Sequence, residues 1–438
     1  MKEITWKMER RAVADFIEAD YNPRKMSDAQ RADLVKSITQ FGQVEPVVVN
    51  ANGTIIGGHQ RLKAYADLGI KETDAMVPSR KLSKEEEREL NIRLNKNRGE
   101  FDDVKLKEFF NVKDLMDWGF APDELGAFFD KTAEVGEDDF DADAEAAAIK
   151  NAVTKTGDLW EMEGHRLVCG DSTDPTVFEK LMGGVLADMC WTDPPYNVDY
   201  DYTRKYTDGM KQRKGRPSKF AGGTKVFNDN KTPEEFRIFL LAVFRNVYAN
   251  TKDSSGIYVC HATKSQAEFF GAFKEAGFHF SQTIIWLKER LILALGQDYH
   301  RIYEPIMYGW KKGKKRWSNK QLATATEVWD LDKISFEERL DVWWINRDKS
   351  KDYVHPTQKP VRLPERAIKK SCPINGLVIE PFGGSGSALL ACEQLQRRCY
   401  NIELDPRYAD VIIRRWQRYT GKKAKCLTRD VELQTQTP

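Results

Sequence analysis

Along this chain the spacing of apolar positions switches between a helical and a strand period, and each switch marks an element. Leu34, Val35, Ile38 and Phe41 form a helical stripe. Ser27 and Gln30 precede it with capping-box spacing, and Gly42 ends it. Pro46 to Val49 then reads as a short strand, Asn52-Gly53 as a turn, and Thr54 to Ile56 as a second strand. Two glycines, Gly57 and Gly58, lead into a helix predicted from His59 to Leu68, which Gly69 stops. A strand–glycine–helix junction leaves N–H groups pointing outward, here with Arg61 in the first turn, and can hold a phosphate. A tight turn that simply needs glycine accounts for the same residues.

The second half carries denser apolar runs. Ala187 to Trp191 is short enough for a buried strand, and Thr192-Asp193-Pro194-Pro195-Tyr196-Asn197 follows it. Successive prolines lack the N–H that a sheet ladder needs, so the strand must stop there. Asp193 and Tyr196 are therefore expected at its tip on a stiff backbone. A fixed acceptor beside a fixed ring suits a flat, amine-bearing substrate. Leu377 to Ile379 predicts a buried parallel strand, and Ser387 to Leu395 the helix after it. Between them Phe382-Gly383-Gly384-Ser385-Gly386 lets the backbone approach a ligand closely. The next strand, Tyr400 to Ile402, ends at Glu403, about 20 residues beyond, where a carboxylate meets the ribose of a nucleoside cofactor. No Lys-Ser/Thr pair follows the glycines, which argues against a P-loop. A dinucleotide site stays open, although the G-x-G-x-x-G spacing is absent.

Length and composition add the organisation. At 438 residues, two or three units are expected. Val135 to Ile149 is acidic, Ala-rich and poor in large apolar residues, and reads as a linker or a loosely held helix. The seven cysteines are scattered without a CxxC pair, which favours a reducing compartment and speaks against a structural zinc site. The six histidines form no ligand pattern, so no metal is expected. The first residues are charged where a signal peptide is apolar, and no run approaches the roughly 20 apolar residues of a membrane span. A soluble, cytoplasmic protein without membrane contact is the expectation. After Tyr196 comes a glycine-containing basic segment with Arg204, Lys205, Lys211, Arg213, Lys214, Arg216, Lys219 and Lys225. Basic runs are usually solvated loops, but the position beside Tyr196 favours phosphate contact. A second basic stretch runs from Lys311 to Arg316.

Two sets of motifs resemble known families. "NPR", "SI", "G", "P" and then "GGHQR" with its helix, over about residues 14 to 80, resemble the ParB/sulfiredoxin-like domain of partition proteins. The resemblance implies nucleotide-phosphate contacts at Gly57, Gly58 and Arg61. His59 and Gln60 stand where that family has charged residues, and the cysteine of sulfiredoxins is absent. "LNKNRGEFD" and the amphipathic stretch to Phe129 resemble the helical extension of such domains fused to DNA methylases.

"DPPY" together with "EPFGGSG" resembles the DNA amino-methyltransferases. "LVCGDS", "IIWLK", "YEPIMYG" and "HPTQKP" match in order across about residues 155 to 420. The tetrad precedes the glycine loop, as in the family's beta group. The fold implied is α/β, a Rossmann-like methyltransferase sheet with circularly permuted motif order, plus a small α+β ParB-like domain. The activity implied is methyl transfer from S-adenosylmethionine to adenine N6 in double-stranded DNA, and cytosine N4 is the alternative. Catalysis falls to Asp193, Pro194, Pro195 and Tyr196. The cofactor is expected against Glu380, Phe382, Gly383, Gly384 and Gly386, with Glu403 on its ribose. The same resemblance puts Asp171 near the cofactor's adenine, and Thr357 and Lys359 near its methionine end. Glu380 and Ser387 stand where Asp and Thr are common. Beta-group relatives are often dimers, so a homodimer is among the expected states.

The expected boundaries are 1–81 for the ParB-like domain, 82–130 for its helical extension, 131–152 for the acidic linker and 153–438 for the methyltransferase. Within the last, 290–352 is the expected target-recognition region. A nucleotide-gated DNA-binding protein acting through the N-terminal domain, and an RNA substrate, are the competing readings.

Overall fold

A computed structural model describes residues 4–19, 26–96, 112–132, 135–197, 230–292, 301–319, 342–345 and 359–433. The basic residues Arg204, Lys205, Arg213, Lys214 and Arg216, and Thr357, lie outside the described residues. The chain divides into two units, Met1–Ala121 and Pro122–Pro438.

In the N-terminal unit the elements are β1 (Trp6–Ala12), α1 (Asp28–Phe41), β2 (Val47–Val49), β3 (Ile55–Gly57), α2 (His59–Asp67), β4 (Glu72–Pro78), α3 (Lys84–Lys96) and α4 (Val112–Asp117). The four strands form one sheet in the order β1-β4-β2-β3, with only β2 and β4 parallel. Ser27 and Gln30 make the reciprocal capping box that their spacing predicts. Ile38, Val47, Val49, Ile55, Leu62, Tyr65 and Val77 form the core, with Leu34 and Val35 packed against it, whereas Phe41 is exposed. Helix α3 belongs to this body, because Asn91 Nδ2 donates to the Ile56 carbonyl at 2.7 Å.

The C-terminal unit begins with α5 (Pro122–Thr132), α6 (Ala142–Ala148), β5 (Leu159–Met162), β6 (His165–Cys169), α7 (Pro175–Met182) and β7 (Ala187–Thr192). It continues with α8 (Pro233–Asn250), β8 (Thr251–Cys260), α9 (Gln266–Glu275), β9 (Phe278–Ile292), β10 (Arg301–Lys311) and β11 (Val342–Trp344). It ends with α10 (Arg362–Ser371), β12 (Leu377–Glu380), α11 (Ser387–Gln394), β13 (Arg398–Glu403), α12 (Pro406–Thr420) and β14 (Lys425–Cys426). The sheet order is β11-β9-β10-β8-β7-β12-β13-β6-β5-β14. Its middle, β8-β7-β12-β13-β6, is parallel.

Both faces of that middle are covered, which explains the unbroken apolar runs. Met189, Trp191 and Val378 point into a core shared with α10, α11 and α12. Cys190, Leu377 and Ile379 point the other way, against α7, α8 and α9. Strand β12 lies directly beside β7, although about half the unit separates them in sequence. The carboxyl ends of both strands therefore lie side by side, on the edge at which open α/β sheets bind ligands. Among the described residues no helix is long and apolar enough to cross a membrane.

Two segments differ from the sequence reading. The acidic stretch is packed, not a linker: Phe140, Ala142, Ala146 and Ile149 bury themselves against Val411 of α12. Its carboxylates also have partners, as Asp138 receives two bonds from the buried Arg415 and Glu137 caps the amides of Val361 and Arg362. Helix α5, placed by sequence in the N-terminal extension, belongs to the second unit, where Asp130 pairs with the buried Arg397. Of residues 290–352, the described parts include β10 and β11, which extend the main sheet. There Lys311 is buried, donates to the Thr251 carbonyl at 2.6 Å and faces Asp253, while Trp343 packs in the core.

Candidate functional site

Strand β7 ends at Thr192, and the two prolines turn the chain so that Asp193 and Tyr196 meet. The Tyr196 hydroxyl donates to Asp193 Oδ1 at 2.7 Å. Asn197, at φ 58°, exchanges two hydrogen bonds with the backbone of Lys231 (2.8 and 2.7 Å). The residues flanking the basic segment therefore meet beside Tyr196. Ser265 Oγ donates to the Tyr196 carbonyl at 2.7 Å and holds the turn from the other side.

Three more ionic side chains converge here. Lys359 Nζ lies 2.9 Å from Asp193 Oδ2, donates to the Tyr196 hydroxyl at 3.0 Å and stands 3.3 Å from Glu304 Oε2. Glu304, on β10, also pairs with Lys288 of β9. Burial pushes the Glu304 carboxyl up, but Lys359 and Lys288 outweigh it and hold it at about 2. Burial pushes the Lys359 ammonium down, but Asp193 and Glu304 outweigh it and raise it above the ordinary lysine range. The Tyr196 phenol is pushed well up by burial and then by the two carboxylates, so it stays a neutral donor. Two ammonium groups and two carboxylates thus balance within one half-buried cluster.

On the neighbouring strand, β12 ends at Glu380 and the glycine turn begins. Gly384 and Gly386 take positive φ (51° and 80°), and Gly386 caps α11 without a side-chain acceptor. A Cβ on Gly383 would lie 2.8 Å from Ile412 Cδ1, so the loop fits tightly over α12. A Cβ on Gly384 would meet nothing closer than the Phe382 carbonyl at 3.9 Å, so the loop presents bare backbone there. Glu403, at the tip of β13, accepts from the Gly384 amide at 2.8 Å and the Asp405 amide at 2.9 Å. Burial raises its carboxyl to about 7, against those two bonds. The Gly170 amide donates to the Glu403 carbonyl at 2.9 Å, which brings the end of β6 and Asp171 to the same rim. Asp171 itself is exposed and caps Thr173 through both the amide and the hydroxyl (2.8 and 2.9 Å). Glu380 is 3% exposed and lies under the loop, receiving the Phe382 amide at 3.2 Å. Burial carries its carboxyl well above the usual range, so it shapes the turn as a neutral acid. Arg415 donates to the Ser385 carbonyl at 2.9 Å while paired with Asp138, which braces the loop from behind.

In the N-terminal unit Gly58 caps α2 at φ 99° with no side-chain acceptor. The Arg61 guanidinium folds over the turn, 3.4 and 3.5 Å from the place a Gly58 Cβ would take, and pairs with Glu45.

The structure brings together Asp193, Tyr196 and Lys359, and separately Phe382 to Gly386 with Glu403. It sets Lys359 on the Asp193 carboxylate. Lys288 and Glu304 received no role from sequence, although "IIWLK" and "YEPIMYG" contain them. The available signal was the single charged residue within each of those two motifs. Among the described residues no group of three or more His, Cys, Asp or Glu side chains is placed to hold a metal ion.

Residues 187–414 match the family described as DNA methylase (N6_N4_Mtase), and residues 7–97 match the ParB N-terminal domain. The type II methyltransferase M.HpaI of Haemophilus parainfluenzae is 24% identical over 51% of this chain and 66% of its own length. The type II methyltransferase M.ScaI of Streptomyces caespitosus is 22% identical over 68% of this chain and 96% of its own. The first three curated relatives are each matched over less than two thirds of their length, at 66%, 47% and 62%. Among solved structures, the complex of M1.HpyAVI with S-adenosylmethionine is 18% identical, covering 57% of this chain and 97% of that one, with a TM-score of 0.40.

Proposed function

This chain belongs to the N6_N4_Mtase family of DNA methylases, and from that premise we propose that it methylates the exocyclic N6 of adenine in DNA, with S-adenosylmethionine as methyl donor. The observation that carries the reading is the juxtaposition of two strand tips. Asp193 and Tyr196 end β7, and the glycine loop ends the adjacent β12.

The residues fit the cofactor. Bare backbone at Gly384 beside a carboxylate suits a ligand with vicinal hydroxyls better than a phosphate. Phe382, Gly383, Gly384 and Gly386 would line it, Glu403 would take the ribose hydroxyls, and Asp171 stands on the same rim. Glu380 acts through the shape of the loop. When bound, S-adenosylmethionine supplies an electrophilic methyl group.

The chain's own residues then act on the base. An adenine amine has its lone pair delocalised into the ring. Asp193 and the Pro194 carbonyl each accept one of its N–H bonds and draw the nitrogen toward a tetrahedral form whose lone pair can attack. Tyr196 stacks on the extruded base. Such stacking is worth about 1–3 kcal/mol, comparable to the few kcal/mol that extrusion costs. Holding the nucleophile in line supplies much of the acceleration. Arg204, Lys205, Arg213, Lys214 and Arg216, in the segment whose flanks meet beside Tyr196, are assigned to the DNA backbone. An acid at position 193 favours adenine, because the family's cytosine-N4 members more often carry Ser there.

The test is methylation of double-stranded DNA with labelled S-adenosylmethionine, followed by nucleoside analysis, for wild type and Asp193→Ala. N6-methyladenine from wild type alone supports the reading. N4-methylcytosine keeps the mechanism and changes the base. No product on any DNA, despite measured cofactor binding, overturns it.

A second activity is proposed for the N-terminal unit, where the uncapped α2 terminus at Gly57-Gly58 with Arg61 suits a nucleotide phosphate. Nucleoside triphosphate binding to the full chain that Arg61→Ala abolishes would support it. Equal binding by both would reject it.

A further inference from the structure

Lys359, which the resemblance sets near the cofactor's methionine end, lies on the Asp193 carboxylate. What the ammonium adds is a donor within 3 Å of the acceptor.

The Tyr196 hydroxyl reveals the use of that pairing. It donates to Asp193 at 2.7 Å and accepts from Lys359 at 3.0 Å, so one group bridges the acceptor and the donor. A ring amine beside an unprotonated ring nitrogen offers the same two functions, as adenine does with N6 and N1 on its pairing edge. A base that presents this pair to Asp193 and Lys359 would displace the hydroxyl from the bridge. One acceptor site on Asp193 and one N–H of Lys359 are then freed together.

We propose that Lys359 is a specificity-determining residue that donates to the ring nitrogen next to the methylated amine, with Glu304 as the positioning residue that aims it. The inference rests on the reading of this site as one that takes an extruded base. Glu304 is suited to its part because it stands 3.3 Å from Lys359 Nζ and is anchored from behind by Lys288. Guanine and thymine present an N–H at that ring position and would face the ammonium with a donor, so the pair selects adenine or cytosine. Asp193 remains the residue that prepares the amine.

The experiment compares DNA carrying adenine or 1-deazaadenine at the methylated position, after that position has been mapped in the wild-type product. The analogue keeps the amine and lacks the ring nitrogen. Wild type is expected to lose about 10- to 100-fold in kcat/KM on the analogue, the scale of one charge-assisted hydrogen bond. Lys359→Met is expected to be slower on adenine and indifferent to the analogue, which also corrects for the intrinsic reactivity of the altered ring. Glu304→Gln should keep only part of the discrimination. If wild type methylates both bases equally, or Lys359→Met discriminates as well as wild type, the proposal fails. The wild-type comparison decides the matter even where Lys359→Met does not fold. A wild type that methylates no DNA at all refutes the underlying function instead, and if the product is N4-methylcytosine the probe is 3-deazacytosine.

Discussion

At Gly58 and at Gly386 a strand passes through glycines into a helix, and both glycines cap their helix in the left-handed region, at φ 99° and 80°, with no side-chain acceptor. The two turns share a backbone and differ in what faces them. Over the first lies the Arg61 guanidinium. Beside the second stands the Glu403 carboxylate, carried in by the neighbouring strand and bonded to the Gly384 amide. Glycine permits close approach in both. On the proposed reading, the charge that faces the turn would select the ligand, an anion in one case and hydroxyls in the other.

The largest effect that would sharpen this contrast is at Glu403. Glu403→Ala should lower S-adenosylmethionine affinity on the order of 100-fold, since it removes the carboxylate proposed to accept from the two ribose hydroxyls. Titration calorimetry on the full chain would measure it, and nucleotide binding by the N-terminal unit should be unchanged. If Arg61→Ala weakened S-adenosylmethionine to the same degree, the contrast would break.

Next in size are the glycines. Gly386→Ala and Gly58→Ala should each destabilise their unit by about 1–2 kcal/mol, because each forces an alanine into the left-handed region. Denaturant unfolding should give similar losses, while S-adenosylmethionine binding weakens only for Gly386→Ala.

Acidity separates the turns more gently. The Glu403 carboxyl titrates at about 7 in the fold against an ordinary value of 4.5. Between those values the folded state holds a proton that the unfolded chain has released. Its contribution to stability is therefore present below about 4.5 and is lost as pH rises toward 7. Cofactor affinity should run the opposite way, rising by up to about tenfold per pH unit until it levels above 7. Glu403→Gln should flatten both profiles.

The smallest effect concerns Arg61. Its pairing with Glu45 is largely exposed on the Glu45 side, so Arg61→Ala should cost the fold less than about 1 kcal/mol. Methyl transfer by that variant should match wild type, and a loss would mean that the N-terminal turn serves the reaction directly.

Much of this molecule was legible in sequence because its signals are local. A capping box spans four residues, and strand, glycines, helix and acid follow one another from Leu377 to Glu403. Asp193 and Tyr196 lie three residues apart on a backbone that prolines stiffen. The acidic stretch misled for the opposite reason. Low hydrophobicity and many carboxylates read as a linker, yet Asp138 finds a buried arginine 277 positions away. Composition reports what a segment could bury by itself and is blind to a partner that needs its charge.

What the sequence determined by itself, then, is the elements around its clearest motifs, α1 to α2, β7, and β12 to β13, since each depends on neighbours within a turn or a strand, while the Rossmann-like class came from the motifs' resemblance to a family. The tertiary structure alone decided that β12 inserts beside β7, that the acidic segment braces the glycine loop through Arg415, and that Lys288, Glu304 and Lys359 converge on Asp193. Those charges come from β9, β10 and the approach to α10. No local spacing links them, and only in a half-buried pocket, where water no longer screens them, do they act as one group.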